Sequence, residues 1–247
     1  MSIELELFLA ALALAGGGIL KGAIGAGAPI LAIPALALIF DVRYAVAVLV
    51  IPNLVTNFWQ WWQYRESMLP RAFTVLFAAG GAFGALAGSF MLAFVPPDIL
   101  LTVVGLIVLL YIAFRLIRAD WVLSYSRGLL LAGPAGFAGG MLQGAAGLSA
   151  PVSITFMSAM KLERPTFIAT ISVFFMLMTI VQGPALAGLG LFSWKIVIHG
   201  IAALVLLLGF MPVGAWLARH VPRETFDRLI LVLLGAIAAK ILITPFF

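Results

Sequence analysis

The sequence predicts an all-α polytopic integral membrane protein made of two inverted-topology repeats, each a broken helical hairpin plus three transmembrane helices. Three observations predict it. Of the 247 residues 64% are hydrophobic and 9% charged, with a mean hydropathy of +1.22, far from the balance of a soluble domain. A thirteen-residue interruption, Gly17-Gly18-Ile19-Leu20-Lys21-Gly22-Ala23-Ile24-Gly25-Ala26-Gly27-Ala28-Pro29, returns as Gly139-Gly140-Met141-Leu142-Gln143-Gly144-Ala145-Ala146-Gly147-Leu148-Ser149-Ala150-Pro151, with eight identities at a constant offset of 122. The basic residues segregate to one side only if each interrupted segment enters and leaves the membrane on the same side.

Apolar blocks run roughly over 5–40, 44–63, 72–95, 98–118, 127–160, 166–188, 194–218 and 225–246. The absence of short alternating segments excludes a β-barrel. An unbroken helix over 5–40 would be ~54 Å long against a hydrocarbon core of ~30 Å. Two arms of about 17 and 13 residues reach ~25 and ~20 Å and fit as a hairpin. Glu4 and Glu6 near the start do not suit a signal peptide. The segment also has a partner in mid-chain, so it is read as part of the mature fold. The block 44–63 ends in Trp59, Trp61, Trp62 and Tyr64, the pattern of an interfacial aromatic belt.

The repeats are assigned to 1–122 and 123–247. Beyond the glycine motif Asp41 corresponds to Glu163, Ala47 to Ala169 and Gln60 to Gln182. After an insertion of about four residues Gly88 corresponds to Gly214, and Val95-Pro96 to Val221-Pro222. With hairpins, Arg65, Arg71, Arg115, Arg118, Arg127, Lys161, Arg164, Arg219, Arg223 and Arg228 share one side. Arg43, Lys195 and Lys240 remain for the other, a strong positive-inside bias. Each repeat then makes an odd number of passes, the copies are inverted, and both termini are non-cytoplasmic. The count is eight to ten helices, depending on how the hairpin arms are treated.

Irregular backbone survives at membrane depth only inside protein or beside a cavity, and paired breaks in two halves point to a transport site. Pro29 and Pro151 suit the first turn of the second arm. Before them, Gly22, Gly25, Gly27 and Ala28, and Gly144, Gly147, Ser149 and Ala150, permit tight turns and close ligand approach. Helix N-termini offer unpaired N–H groups and partial positive charge, and two facing ends near the midplane suit a small anion. The competing reading is close helix packing through small residues; duplication and the matched prolines favour the site.

Lys21 is a membrane cation and so a functional candidate, with Gln143 its neutral counterpart. The competing reading is a lysine snorkelling to an interface or a water pocket. Asn53, Thr56, Asn57 and Gln60 share one helical face, answered by Ser172, Thr179 and Gln182. These donors bind oxyanion oxygens without net charge, or serve interhelical hydrogen bonds. The substrate-binding candidates are therefore Lys21, Gly22, Gly25, Gly27, Ala28, Pro29, Asn53, Asn57, Gln143, Gly144, Gly147, Ser149, Ala150, Pro151, Ser172 and Thr179. His199 and His220 are read as interfacial, and Asp41, Asp98 and Glu163 as loop ends. No Asp or Glu falls deep in a span, which disfavours carboxylate proton relays. No Walker motif, metal-ligand spacing or cysteine is present, so no metal, cofactor or catalytic residue is expected.

The Gly-rich break followed by Pro, the acidic-to-basic loop and the polar mid-helix face, all repeated, resemble the TauE/SafE sulfite and organosulfonate exporters. The residues are Gly22, Gly25, Gly27-Ala28-Pro29, Asp41 and Asn53, then Gly144, Gly147, Ser149-Ala150-Pro151 and Glu163. That family commonly shows three consecutive glycines at the break, where this chain has Gly25-Ala26-Gly27-Ala28 and Gly147-Leu148-Ser149-Ala150. The resemblance implies movement of sulfite, sulfoacetate or related sulfonates.

The leading function is a secondary transporter of a small anion in the bacterial inner membrane, working by alternating access. A passive channel for small ions or neutral solutes is the alternative, disfavoured by the lack of a charged ring. An enzyme or assembly scaffold would need clustered acid–base groups or large soluble loops, which the sequence lacks. The expected partners are a small anionic substrate and the lipid bilayer, with homo-oligomerisation allowed. The net charge of +5 sits in short loops and is assigned to the membrane surface, not to nucleic acid.

Overall fold

A computed structural model describes residues 2–117, 122–220 and 223–243, with the side chains of Arg115 and 223–230 outside that description. The placements of Arg118 and of Val221-Pro222 lie outside the described residues, as do the side chains of Arg223 and Arg228. The described residues are 88% helical and contain no strand. Among them seven helical segments are long and apolar enough to cross a membrane. The protein is a multi-pass membrane protein.

The first block breaks once. Helix α1 (Ile3–Ile24) runs straight through Gly16, Gly17, Gly18 and Gly22 and stops at Gly25, whose φ of 84° only glycine adopts readily. Gly27, at φ 107°, caps α2 (Ala28–Ile39), which carries Pro29 in its first turn. The arms are thus 22 and 12 residues long, not about 17 and 13. The glycines upstream of Gly25 stay helical because they pack against another helix. At ~33 Å the long arm crosses the core; at ~18 Å the short arm does not. Helices α7 (Tyr125–Ala146) and α8 (Ala150–Ala159) repeat the design, ending and restarting around Gly147 at φ 70°.

Asp41 caps α3 (Val42–Val48) by accepting from the backbone N–H groups of Arg43 and Tyr44. The next helix, α4 (Val50–Tyr64), is set off at Leu49, as Pro52 has no N–H and crowds the carbonyl four residues back. Its counterpart α9 (Arg164–Gly188) has Phe174 in place of that proline and runs unbroken. The remaining helices are α5 (Arg71–Phe94), α6 (Pro97–Ile117), α10 (Trp194–His220) and α11 (Arg223–Ile243).

Two seams of backbone-to-backbone packing organise the bundle. On α5 and α7, glycines recur every fourth residue: Gly80, Gly84 and Gly88 face the carbonyls of Gly133, Phe137 and Met141, while Gly136, Gly140 and Gly144 face those of Phe77, Gly81 and Ala85. A Cβ at any of the six would overlap the facing carbonyl oxygen. The second seam joins α1 to α10, where Gly18, Gly22 and Gly214 meet the carbonyls of Leu207, Met211 and Ile19. Each hairpin's long arm therefore packs on a helix from the other half of the chain. Between the seams α4 lies antiparallel to α9. At one end Leu69 N donates to Thr170 Oγ1 at 3.1 Å; at the other, a Cβ on Gly183 would stand 3.4 Å from Val50 Cγ1.

Candidate functional site

The polar interior lies where α1, α4, α7 and α9 meet. Lys21, in the last turn of α1, is 1% exposed. Its Nζ donates to Asn57 Oδ1 at 2.9 Å, and Asn57 Nδ2 donates to the Asn53 carbonyl at 2.7 Å. That carbonyl, four residues earlier on α4, fixes the rotamer so that the amide oxygen faces Lys21. Thr56 donates to the carbonyl of Pro52, whose own position interrupts the helix ladder. Among the described residues Lys21 is the only charged one that is buried, and every other buried polar side chain is neutral. A buried ammonium held by one neutral amide is poorly compensated.

On the other side Gln143 occupies the Lys21 position of α7. Gln182 Nε2 on α9 donates to the Gln143 carbonyl at 3.4 Å, and Thr179, one turn before Gln182, donates to the Phe175 carbonyl. Leu69–Thr170 and Val50–Gly183 set α4 and α9 antiparallel, so Asn57 and Thr179 both fall in the middle of the seam. Three buried atoms at these helices have no hydrogen-bond partner: Gln60 Oε1, Gln143 Oε1 and Ser172 Oγ. Ser172 lies two turns before Thr179 on α9.

The sequence-derived candidates divide three ways. Lys21, Asn53 and Asn57 come together, and Gln143, Thr179 and Ser172 lie on the facing helices. Gly22 and Gly144 sit in the glycine seams. Gly25, Gly27 and Gly147 make the breaks themselves, their positive φ angles ending one helix and starting the next. At the hairpin tips, Ala28, Pro29, Ala150 and Pro151 are buried. Ser149 Oγ lies 3.0 Å from Ser153 Oγ along α8. Leu148, Ala150 and Pro151 share a cavity of about 10 Å³ with Ile30, Ile107, Val108 and Tyr111. Beside the second tip the surroundings are thus apolar, with Ile30 of α2 alongside. The donors gather one turn back from the breaks, at positions 21 and 143.

Three features lie outside the substrate-binding candidates drawn from the sequence. Gln60 and Gln182 were recognisable as a pair at the 122 offset. Arg164 Nη2 donates to the Ala23 carbonyl at 3.2 Å, fastening the first α9 residue to the end of α1. His199 Nδ1 lies 2.8 Å from Tyr44 OH; no signal in the sequence joins those two. Trp59 and Trp62 are more than half exposed, and Arg65 stacks over Trp62 at 4.2 Å, as a belt residue does.

A family profile described as sulfite exporter TauE/SafE matches residues 9–241. The chain belongs to the TauE/SafE family. No curated protein and no solved structure matches it. The TauE/SafE family comprises transporters rather than enzymes, and the chain is accordingly a membrane transporter of the sulfite and organosulfonate exporter type. For a TauE/SafE exporter, a neutral interior around one lysine is the arrangement on which an anion reading rests.

Proposed function

We propose that this protein is a secondary transporter that moves a small sulfur oxyanion or sulfonate across the bacterial inner membrane by alternating access, with its termini outside the cytoplasm. One observation carries the reading. Lys21 is sealed from solvent without a carboxylate partner among the described residues, so a bound anion supplies the missing counter-charge. Asn57 holds the ammonium, and the buried side chains of Asn53, Gln143, Thr179 and Ser172 on α4, α7 and α9 are neutral and add no competing charge.

Two correspondences support the inverted repeat over residues 1–122 and 123–247. Gly25 packs on Ile168, and Gly147 packs on Val46; adding 122 to the first pair, and exchanging partners, gives the second. Asn57 and Thr179 are likewise offset by 122, on the antiparallel helices α4 and α9. The moving bodies in this reading are not the sequence repeats. One holds α1, α2, α4 and α10, the other α5, α7, α8 and α9, and the glycine seams keep each rigid. The bodies meet along α4 and α9, where Lys21 and Gln143 stand on opposite sides.

The test is thermal unfolding of detergent-purified protein with sulfite and a series of sulfonates. Wild type is expected to gain stability with anion concentration as binding to the folded state requires, and Lys21→Met to lose that gain. No shift with any of these anions in wild type, or an equal shift in Lys21→Met, refutes the proposal.

A further inference from the structure

We infer that an anionic phospholipid occupies a groove on the bilayer face of the second hairpin, with an acyl chain between α7 and α8 and its phosphate at the start of α7 beside Arg127. Leu131 and Ala135 of α7 and Pro151, Val152, Thr155 and Phe156 of α8 line an open cavity of about 290 Å³. Its floor is fixed. Phe156 packs on Phe73 and Phe77 with ring centroids 6.0 and 5.6 Å apart, and Phe77 stacks on Phe174 at 4.1 Å. The equivalent positions of the first hairpin are sealed by protein: Ile30 and Ile33, at the 122 offset from Val152 and Thr155, are 4% and 1% exposed on α2, which packs against α6 and α11. Val152 and Thr155 are only half-buried. A rigid apolar gap at membrane depth gains dispersion contacts when hydrocarbon fills it.

Charge identifies the occupant. Arg127, Leu131 and Ala135 recur every fourth residue and share a face of α7. Arg127 therefore stands at the end of the groove, ~12 Å from Ala135 along the helix axis. It is exposed, and no carboxylate pairs with it among the described residues. It also lies in the first turn of α7, which contains no acidic residue and where unpaired N–H groups already give partial positive charge. A cation at that end is unfavourable until an anion joins it. The first turn of α1 carries Glu4 and Glu6 instead, as the helix dipole favours.

Thr155 adds a hydroxyl that has no hydrogen-bond partner among the described residues. It lies one turn before Ala159, whose carbonyl accepts from Leu123 N at 2.8 Å just ahead of α7. The hydroxyl is thus towards the Arg127 end, where the ester carbonyl between phosphate and chain passes. At the 122 offset from Arg127 and Thr155 stand Leu5 and Ile33, so the hairpin itself requires neither polar group.

The experiment titrates detergent-purified protein with phosphatidylglycerol, with phosphatidylcholine of the same acyl chains, and with glycerol phosphate, which has no chain. Apparent dissociation constants come from the concentration dependence of the thermal shift. Wild type should bind phosphatidylglycerol about fivefold more tightly than phosphatidylcholine, the size of one cationic contact at a membrane surface, and glycerol phosphate should give no comparable shift. Arg127→Gln should abolish the preference, while Arg71→Gln, at another exposed arginine, keeps it. Ala135→Phe, which fills the groove, should remove the shift with both lipids. Equal affinity of wild type for the two lipids overturns the inference, as does a preference that Arg71→Gln lowers as much as Arg127→Gln, or lipid shifts that Ala135→Phe leaves unchanged. A shift with glycerol phosphate equal to that with phosphatidylglycerol overturns it in favour of a free anion. A dimer in light scattering that Ala135→Phe dissociates overturns it in favour of a second copy in the groove.

Discussion

Substituting Gly140 and Gly133 with alanine, one at a time, separates packing from propensity on a single helix. Both glycines are helical residues of α7. A Cβ on Gly133 meets nothing within 4 Å, whereas one on Gly140 overlaps the Gly81 carbonyl oxygen and stands 2.8 Å from Gly81 Cα. All the obstructing atoms are backbone, so no side chain can swing aside. Restoring an ordinary 3.4 Å contact to Gly81 Cα alone takes about 0.6 Å, and the overlapped oxygen demands more, so α5 and α7 separate by ~1 Å. A gap of that size forfeits a quarter to a half of each dispersion contact, ~0.1–0.2 kcal/mol apiece over tens of atom pairs along the seam. Together with the usual cost of overpacking this gives about 1–3 kcal/mol. Alanine also favours helix by up to ~1 kcal/mol over glycine, a gain offset at Gly133 by crowding of the new Cβ against Pro134, the next residue. Gly133→Ala should therefore unfold near the wild-type temperature in detergent, and Gly140→Ala several degrees below it. Equal midpoints, or a more stable Gly140→Ala, would show that α5 and α7 do not touch as described.

The other expectations concern the breaks and the helix ends. Gly25 and Gly190 both have positive φ, 84° and 73°, but Gly190 faces open space while Gly25 packs on Ile168. Gly190→Ala should cost about 1–2 kcal/mol from backbone strain, and Gly25→Ala measurably more, as read from unfolding midpoints. Arg43 donates to the carbonyls of Leu92, Ala93 and Val95 at 2.9, 3.0 and 3.0 Å, closing the end of α5. Arg43→Gln should lose about 1–3 kcal/mol, with Arg43→Lys recovering only part because a single ammonium cannot match the guanidinium fork. Tyr44→Phe removes one hydrogen bond to His199, should lower stability by ~0.5–1.5 kcal/mol, and should leave the sulfite-induced thermal shift unchanged.

Composition and periodicity carried the membrane class and the helical elements, because apolar length is written directly into the chain. The hairpins were legible from the charge distribution, and the first helix of each second arm from Pro29 and Pro151. What the motif could not reveal was the division of labour among its glycines. Gly22 and Gly25 look alike in sequence, yet Gly22 lies on a straight helix against Met211 and Gly25 turns the chain. The distinction depends on a partner helix nearly two hundred residues away in the sequence. The helix N-termini at the tips were expected to add backbone donors to the side chains of Lys21, Asn53, Asn57 and Gln143; beside the second tip, Leu148, Ala150 and Pro151 line a small apolar pocket with Ile30. Lys21 and Asn57, both legible as interior polar residues, meet only through a tertiary contact between α1 and α4.

The two glycine seams differ in a way that bears on the proposed motion. The α5–α7 seam has three glycines on each helix at four-residue spacing, so carbonyls press into bare backbone from both sides. The α1–α10 seam has Gly18 and Gly22 on one helix but only Gly214 opposite; Phe210 stands at the four-residue position before it, where α5 has Gly84. Close backbone packing is the main adhesive between helices in lipid, where burial from water contributes nothing. The body that contains α5 and α7 is then the stiffer of the two. Lys21 rides on the looser seam, immediately before Gly22 and its contact with Met211. An anion on the Lys21 ammonium competes with the Asn57 amide oxygen, because a charge-assisted bond outweighs one to a neutral acceptor. The Lys21–Asn57 bond joins two helices of the looser body, so that bond, rather than either glycine seam, is the contact expected to yield when an anion arrives.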